Sequence, residues 1–241
     1  MNVDHLLLKG LLNRFIHEPF LFPQIFGCTF VRQRKCMAQK IVPEEHKHVL
    51  GLQLPTDPRW VDMTQISVAD ILTDHAYCEQ KAALTCISLI QTYSECYDMV
   101  RELSPVVTEE WGHFRAVLAE LDKRNLPLGI QRKDLYVNEL KKFEEKPGGR
   151  MERLSERLIM FALIEARSCE RFRLLSLYVG DEQLRQFYHK FMVAEAGHYR
   201  LMIALAEQYS SKEKVEKRWQ AYLDYEAEIM KNMEIRGDRM H

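Results

Sequence analysis

Two short stretches of the chain, "EEWGHF" (109–114) and "AEAGHY" (194–199), each carry Glu-x-x-His. The first pairs Glu110 with His113, and the second, 85 residues on, pairs Glu195 with His198. Positions i and i+3 of a helix share a face, so each pair aims a carboxylate and an imidazole at one point. Apolar residues flank both pairs at helical spacing: Val106, Phe114 and Val117 around the first, Phe191, Met202 and Leu205 around the second. Both pairs are therefore expected to face the interior, where unpaired charge is costly and a metal ion would offset that cost. A lone Glu-x-x-His is more often plain helix surface. A third copy, Glu45 with His48 in "PEEHKHV", sits beside Pro43 among charges and reads as chance.

The other two copies gain weight from what precedes them. Glu79 lies 31 residues before Glu110, flanked on its face by Leu72, Ala76, Ala83 and Cys86; Glu165 lies 30 residues before Glu195, flanked by Leu158, Phe161, Ala162, Cys169 and Phe172. The order Glu, Glu-x-x-His, Glu, Glu-x-x-His is the donor set of a carboxylate-bridged di-iron or di-manganese bundle. Glu170 competes with Glu165, but Arg167 and Arg173 make its stripe more solvated, and an ion pair explains it. His75, one turn before Glu79 on the same face, could be a partner of the site, although an ordinary half-buried histidine is the commoner reading.

Such residues need long helices to position them. Ser67 with Asp70 forms a capping box ahead of a helix running to about Gln91. A second helix covers Glu95 to Asn125, a third Met151 to Val179, and a fourth begins after Gly180, capped by Asp181. Two residues at equal height in an antiparallel hairpin are equidistant from its turn. For Glu165 and Glu195 that turn is Gly180, and for Glu79 and Glu110 it falls near Ser94. Ser104-Pro105 offers a rival turn; the Ser94 reading is preferred and puts Pro105 inside a helix as a kink. The 126–150 connection is then a long crossover, and Ser211 caps a fifth helix bearing Trp219, Tyr222 and Tyr225. The expected fold is all-α, a ferritin-like four-helix bundle of two antiparallel hairpins joined by that crossover, with the fifth helix outside it. The domain spans 51–241, preceded by an N-terminal arm over 1–50.

Composition agrees. Of 241 residues 46% are hydrophobic, Gly and Pro are few at 10 and 8, and the net charge of −1 announces no nucleic-acid binder. The six cysteines (Cys28, Cys36, Cys78, Cys86, Cys96 and Cys169) form no Cys-x-x-Cys pair and read as reduced thiols of a cytoplasmic protein. Charges and prolines break up the apolar N-terminal patches, so no membrane span is expected. No phosphate loop, zinc pattern or nucleophile elbow occurs. Carboxylate and imidazole donors suit iron, with manganese an alternative. Two ferrous ions can share the reduction of O2 and generate an oxidant for a C–H bond, but a site of this kind also suits iron storage or peroxide detoxification. A metal-free helical interaction module is a third reading.

The stretches "DHAYCEQKAA", "EEWGHF", "RKDLYVNEL", "LIEARSCERF" and "AEAGHY" together resemble the tRNA isopentenyladenosine hydroxylases, the MiaE-type family of ferritin-like non-haem di-iron monooxygenases. The resemblance runs from about Leu52 to about Tyr209. It implies that Glu79, Glu110, His113, Glu165, Glu195 and His198 hold two iron ions and act through them. It implies O2 as co-substrate and an external electron donor, a reductase or carrier. The substrate would be the isopentenyl side chain of 2-methylthio-N6-isopentenyladenosine, next to the anticodon of tRNA. The basic residues Lys133, Lys141, Lys142 and Arg150 are then expected to contact tRNA phosphates, although acidic residues are interleaved with them.

Overall fold

The computed structural model describes residues 49–146 and 148–241, all of them helix, turn or irregular chain, with no strand among them. The N-terminal arm, Cys28, Cys36 and the Glu45/His48 pair lie outside the described residues. After a 3-10 turn at Val49–Gly51 come α1 (Arg59–Thr64), α2 (Val68–Thr92), α3 (Tyr97–Lys123), α4 (Leu135–Phe143), α5 (Arg150–Tyr178), α6 (Glu182–Tyr209) and α7 (Lys212–Asn232). α2 packs with α3 and α5 with α6, as two hairpins, and α7 lies against α5.

Local chemistry explains the boundaries. Ser67 Oγ accepts from Asp70 N at the start of α2, Asp181 accepts from Gln183 N and Leu184 N at the start of α6, and Ser211 does the same for Lys214 N in α7. Each such cap is worth about 1 kcal/mol. The first turn falls between Thr92 and Tyr97, around Ser94, and Pro105 sits inside α3 without ending it. The ring costs one N–H of the helical ladder, and the helix carries on through it.

Two helices were not expected from the sequence. Within the crossover Asp134 accepts from Val137 N and starts the nine-residue α4, which buries Tyr136 and Leu140. Ahead of α2 the short α1 buries Trp60 and Val61. Residues 233–241 also pack closely. Trp60 Nε1 donates to the carbonyls of Arg236 and Arg239, both at 3.1 Å, and Asp74 accepts from Met240 N at 2.8 Å. A Cβ on Gly237 would lie 2.3 Å from the Met63 carbonyl carbon, so only glycine fits there.

The core divides into two apolar clusters, and the division positions the site. On α2, Leu72 and Ala76 belong to one cluster and Cys86 and Leu89 to the other, with Glu79 between. On α3, Glu110 sits between Val106 and Phe114; on α6, Glu195 and His198 sit between Phe191 and Met202. The polar residues interrupt the bundle seam where one cluster gives way to the next.

Candidate metal centre

All six side chains singled out by spacing meet in the bundle interior. Glu79, Glu110, Glu165, Glu195 and His198 are buried, and His113 is largely so. The donor atoms of Glu79, Glu110, His113 and Glu195 lie within 4.8 Å of one another, as do those of Glu110, Glu165, Glu195 and His198. Glu110 and Glu195 belong to both groups, the arrangement of two shared carboxylates between two ions.

The donors fit metals better than they fit one another. His198 Nδ1 is 2.7 Å from Glu110 Oε1, a distance suited to an ion pair, yet the angle leaves both buried atoms without a hydrogen bond. An orphaned buried pair is costly, and a shared cation would satisfy both atoms. His113 Nδ1 likewise faces Glu79 Oε2 at 3.2 Å and Glu110 Oε2 at 3.4 Å. Both histidines thus turn Nδ1 inward. Their outer Nε2 atoms face one residue, Glu109, at 3.2 Å from His198 and 4.0 Å from His113. A carboxylate behind a ligating histidine fixes its tautomer and raises its basicity.

Sequence reasoning missed Glu109, although its i,i+4 spacing to His113 was visible. It also misjudged His75, which is fully buried, with Nε2 2.8 Å from Glu79 Oε1. Burial holds His75 well below its ordinary pKa, hence neutral, and toward an ionised Glu79 its Nε2–H is the donor. Replacing His75 by Phe is expected to weaken metal retention by about 10- to 100-fold, read by competition with a chelator. Unchanged retention would leave His75 a packing residue.

Glu170 does not join the site. It is buried, not solvated: it accepts from Thr56 N and Oγ1 and pairs with Arg167 at 3.0 Å. The ion-pair explanation is right and the solvated stripe wrong, because α7 and residues 52–56 cover that face. Of the four cations expected to meet phosphate, all are exposed but they do not converge. Lys142 pairs with Glu139 at 2.6 Å, Arg150 bonds Glu95, and Lys133 borders a separate shallow depression beside Asp74 and Arg239. Lys141 alone borders the main cavity.

That cavity, of about 480 Å3, ends on Glu79, Glu110, Glu165 and Glu195. Ala82, Leu89, Met160, Phe161 and Ile164 give it apolar walls; of its cations Lys81 pairs with Asp134 and Arg157 with Glu144, which leaves Lys141. α2 and α5 supply most of its lining and α4 the rest of one side, so the helix missed in the crossover helps to shape it.

Without metal the carboxylates and imidazoles share protons. Burial, then the nearby Glu110, raises Glu79 well above the carboxylate range, and burial with Glu195 does so for Glu165. Burial opposes ionisation of Glu110 as well, but the imidazoles of His113 and His198 beside it outweigh that and bring it to about 2. Burial disfavours charged His113 and His198, yet the adjacent carboxylates outweigh it and raise them to about 10 and about 11. Groups raised on folding stabilise fully below their unfolded values and withdraw that stability as pH climbs through the folded ones. The metal-free protein should therefore melt lower at about pH 9 than at about pH 6. Glu110 acts oppositely, but only below its unfolded value of 4.5. Iron should reverse the trend, since uptake displaces protons and tightens as pH rises. A melting temperature that climbs with pH in the metal-free protein would contradict this proton assignment.

Comparison with known proteins agrees with the geometry. The family model described as tRNA-(MS2IO6A)-hydroxylase (MiaE) matches residues 41–241. The tRNA 2-(methylsulfanyl)-N(6)-isopentenyladenosine(37) hydroxylase of Pseudomonas putida is 34% identical over 67% of this chain and 77% of its own. The protein of that name from Salmonella typhimurium is 26% identical over 74% of this chain and 83% of its own. A solved structure from Synechococcus, Protein 43 with aldehyde deformylating oxygenase activity, superposes with a TM-score of 0.74 at 31% identity. It covers 79% of this chain and 94% of its own. With a match across the described bundle and beyond, the chain belongs to the MiaE family of tRNA hydroxylases.

Proposed function

We propose that this protein is a non-haem di-iron monooxygenase that hydroxylates the isopentenyl side chain of 2-methylthio-N6-isopentenyladenosine beside the anticodon of tRNA. Family membership supports the substrate class. The observation that carries the chemistry is the cavity, which runs along apolar walls past cations and ends on four buried carboxylates. In this reading Glu79 and His113 would hold one iron and Glu165 and His198 the other, with Glu110 and Glu195 within reach of both. The irons supply the reduction of O2 and the transfer of one oxygen atom into a C–H bond. The balance needs two external electrons and two protons and releases one water, so a reductase or electron carrier is required. No helix among the described residues is long and apolar enough to cross a membrane.

The chain's own residues do the rest. About 480 Å3 suits one nucleoside-sized ligand. The apolar walls take an isopentenyl group and keep water from the carboxylates, while Lys141, the lining cation with no carboxylate partner among the described residues, is placed to meet a phosphate that accompanies it. Lys141 favours a phosphate-bearing substrate over an aldehyde or a hydrophobic peroxide, and iron storage needs no such cavity.

The deciding assay incubates iron-loaded, reduced protein with isopentenylated tRNA and isotopically labelled O2. The modified nucleoside should gain one labelled oxygen. Iron-loaded protein that leaves the nucleoside unchanged while oxidising an aldehyde, or storing iron, would overturn the proposal. Lys141 makes no ion pair among the described residues. Lys141→Glu should weaken tRNA binding and lower the salt slope by about 0.9, one phosphate contact. Lys142, already held by Glu139, should matter less. Equal effects from the two would mean a diffuse basic surface rather than contacts at the cavity mouth.

A further inference from the structure

Cys78, Asp134 and His241 meet on the wall of the same cavity, apart from the six-residue centre. They come from distant parts of the chain: α2, the cap of α4, and the segment after α7. Their donor atoms lie within 4.8 Å of one another. His241 Nδ1 is 3.9 Å from Cys78 Sγ and 3.9 Å from Asp134 Oδ2. Tetrahedral zinc sets such donors about 3.3–3.7 Å apart, so a shift of a few tenths of an ångström closes the site.

The imidazole is held for this role. Its other nitrogen, Nε2, is 2.9 Å from Ser168 Oγ, and its ring stacks on Tyr136 at 5.2 Å between centroids. Metal on Nδ1 requires the proton on Nε2, and Ser168 is positioned to accept it, the arrangement found behind ligating histidines. Asp134 is held too, because its Oδ1 caps α4 and Oδ2 faces inward. Lys81 bonds Asp134 and competes for it, but a third of the lysine is exposed and it can turn to solvent.

We infer that Cys78, Asp134 and His241 form a second metal site, taking a zinc-class divalent cation with the fourth position open to the cavity. Thiolate, imidazole and carboxylate together suit such borderline ions, and binding releases the Cys78 thiol proton. The ion would tie the crossover and the C-terminal segment to α2 and narrow the passage to the carboxylates. Zinc should therefore inhibit turnover, a consequence that rests on the proposed function. The binding itself does not.

Cobalt(II) is the probe, added to the iron-loaded, reduced full chain. A thiolate-to-cobalt charge-transfer band should appear in the near ultraviolet and vanish on adding zinc. The six-residue centre has no sulfur and cannot produce it. The band should be lost in Cys78→Ser, retained in Cys169→Ser, and tightened in Lys81→Met, where the competing ammonium is gone. Ser168→Ala should weaken it about tenfold. Absence of the band in the wild-type protein, or its survival in Cys78→Ser, overturns the site whatever the protein's activity on tRNA.

Discussion

Glu110→Gln and Glu195→Gln are each expected to abolish hydroxylation and to empty both iron positions, whereas Glu79→Gln and Glu165→Gln should each spare one. The asymmetry follows from membership: Glu110 and Glu195 belong to both donor groups, and Glu79 and Glu165 to one apiece. Glutamine keeps the volume of the side chain, so the packing around it survives and the change is mainly one of charge. Four buried carboxylates match the four positive charges of two ferrous ions, and a neutral amide at a shared position leaves both ions short of compensation. Losing a hydrogen-bond partner of a ligand already costs about 10- to 100-fold, and losing a shared ligand should cost more. Iron per chain after anaerobic reconstitution should fall from about two to well below one for the shared positions, and to about one for the others. Equal losses at all four glutamates would remove the distinction between shared and single ligands. Retention of two irons in Glu110→Gln would remove Glu110 from the centre.

The convergence of these six residues could be read from spacing because each helix contributes locally. Glu-x-x-His needs only one helix, and the upstream glutamates follow from equal height about turns at Ser94 and Gly180, which the structure places between Thr92 and Tyr97 and between Tyr178 and Glu182. What escaped was set by tertiary packing. His241 and Asp134 reach Cys78 from sequence separations of 163 and 56 residues, and no local pattern links them. The helix α4 was hidden between Pro127 and Pro147 in a polar stretch, although Asp134 as cap and the Tyr136/Leu140 spacing were both present. Glu109 and His75 carried a usable i,i+4 signal and were passed over: Glu109 for its neighbour Glu110, and His75 because a lone histidine on an apolar face is so often mere packing. Arg167 was misread for a different reason. Its charge suggested solvent, and only the cover supplied by α7 turns that stripe of α5 inward.

That burial makes Arg167 the position of largest expected stability loss. Its guanidinium is fully enclosed and uses its donors on four partners: Glu226 at 2.7 and 2.8 Å, Glu170 at 3.0 Å, Thr56 Oγ1 at 3.2 Å and the Leu54 carbonyl at 2.8 Å. One side chain thus joins the segment before α1, the helix that carries Glu165, and α7. Arg167→Met fills much of the same space but leaves Glu170 and Glu226 buried without their cation. Breaking a buried pair from one side costs about 3–5 kcal/mol, against the 1 kcal/mol or less of an exposed pair. For a chain of this size that lowers the melting temperature by about 10 °C. The pair itself need not be strongly stabilising, since two charges were desolvated to make it. Arg167→Met combined with Glu226→Leu should therefore recover part of the loss, because the second change removes the stranded carboxylate that Tyr136 also contacts at 3.2 Å. Recovery distinguishes a stranded charge from a lost packing contact. A double variant as unstable as the sum of the two single ones would mean that Arg167 acts through shape, and an unshifted melting temperature in Arg167→Met would mean that this face of α5 is open to water.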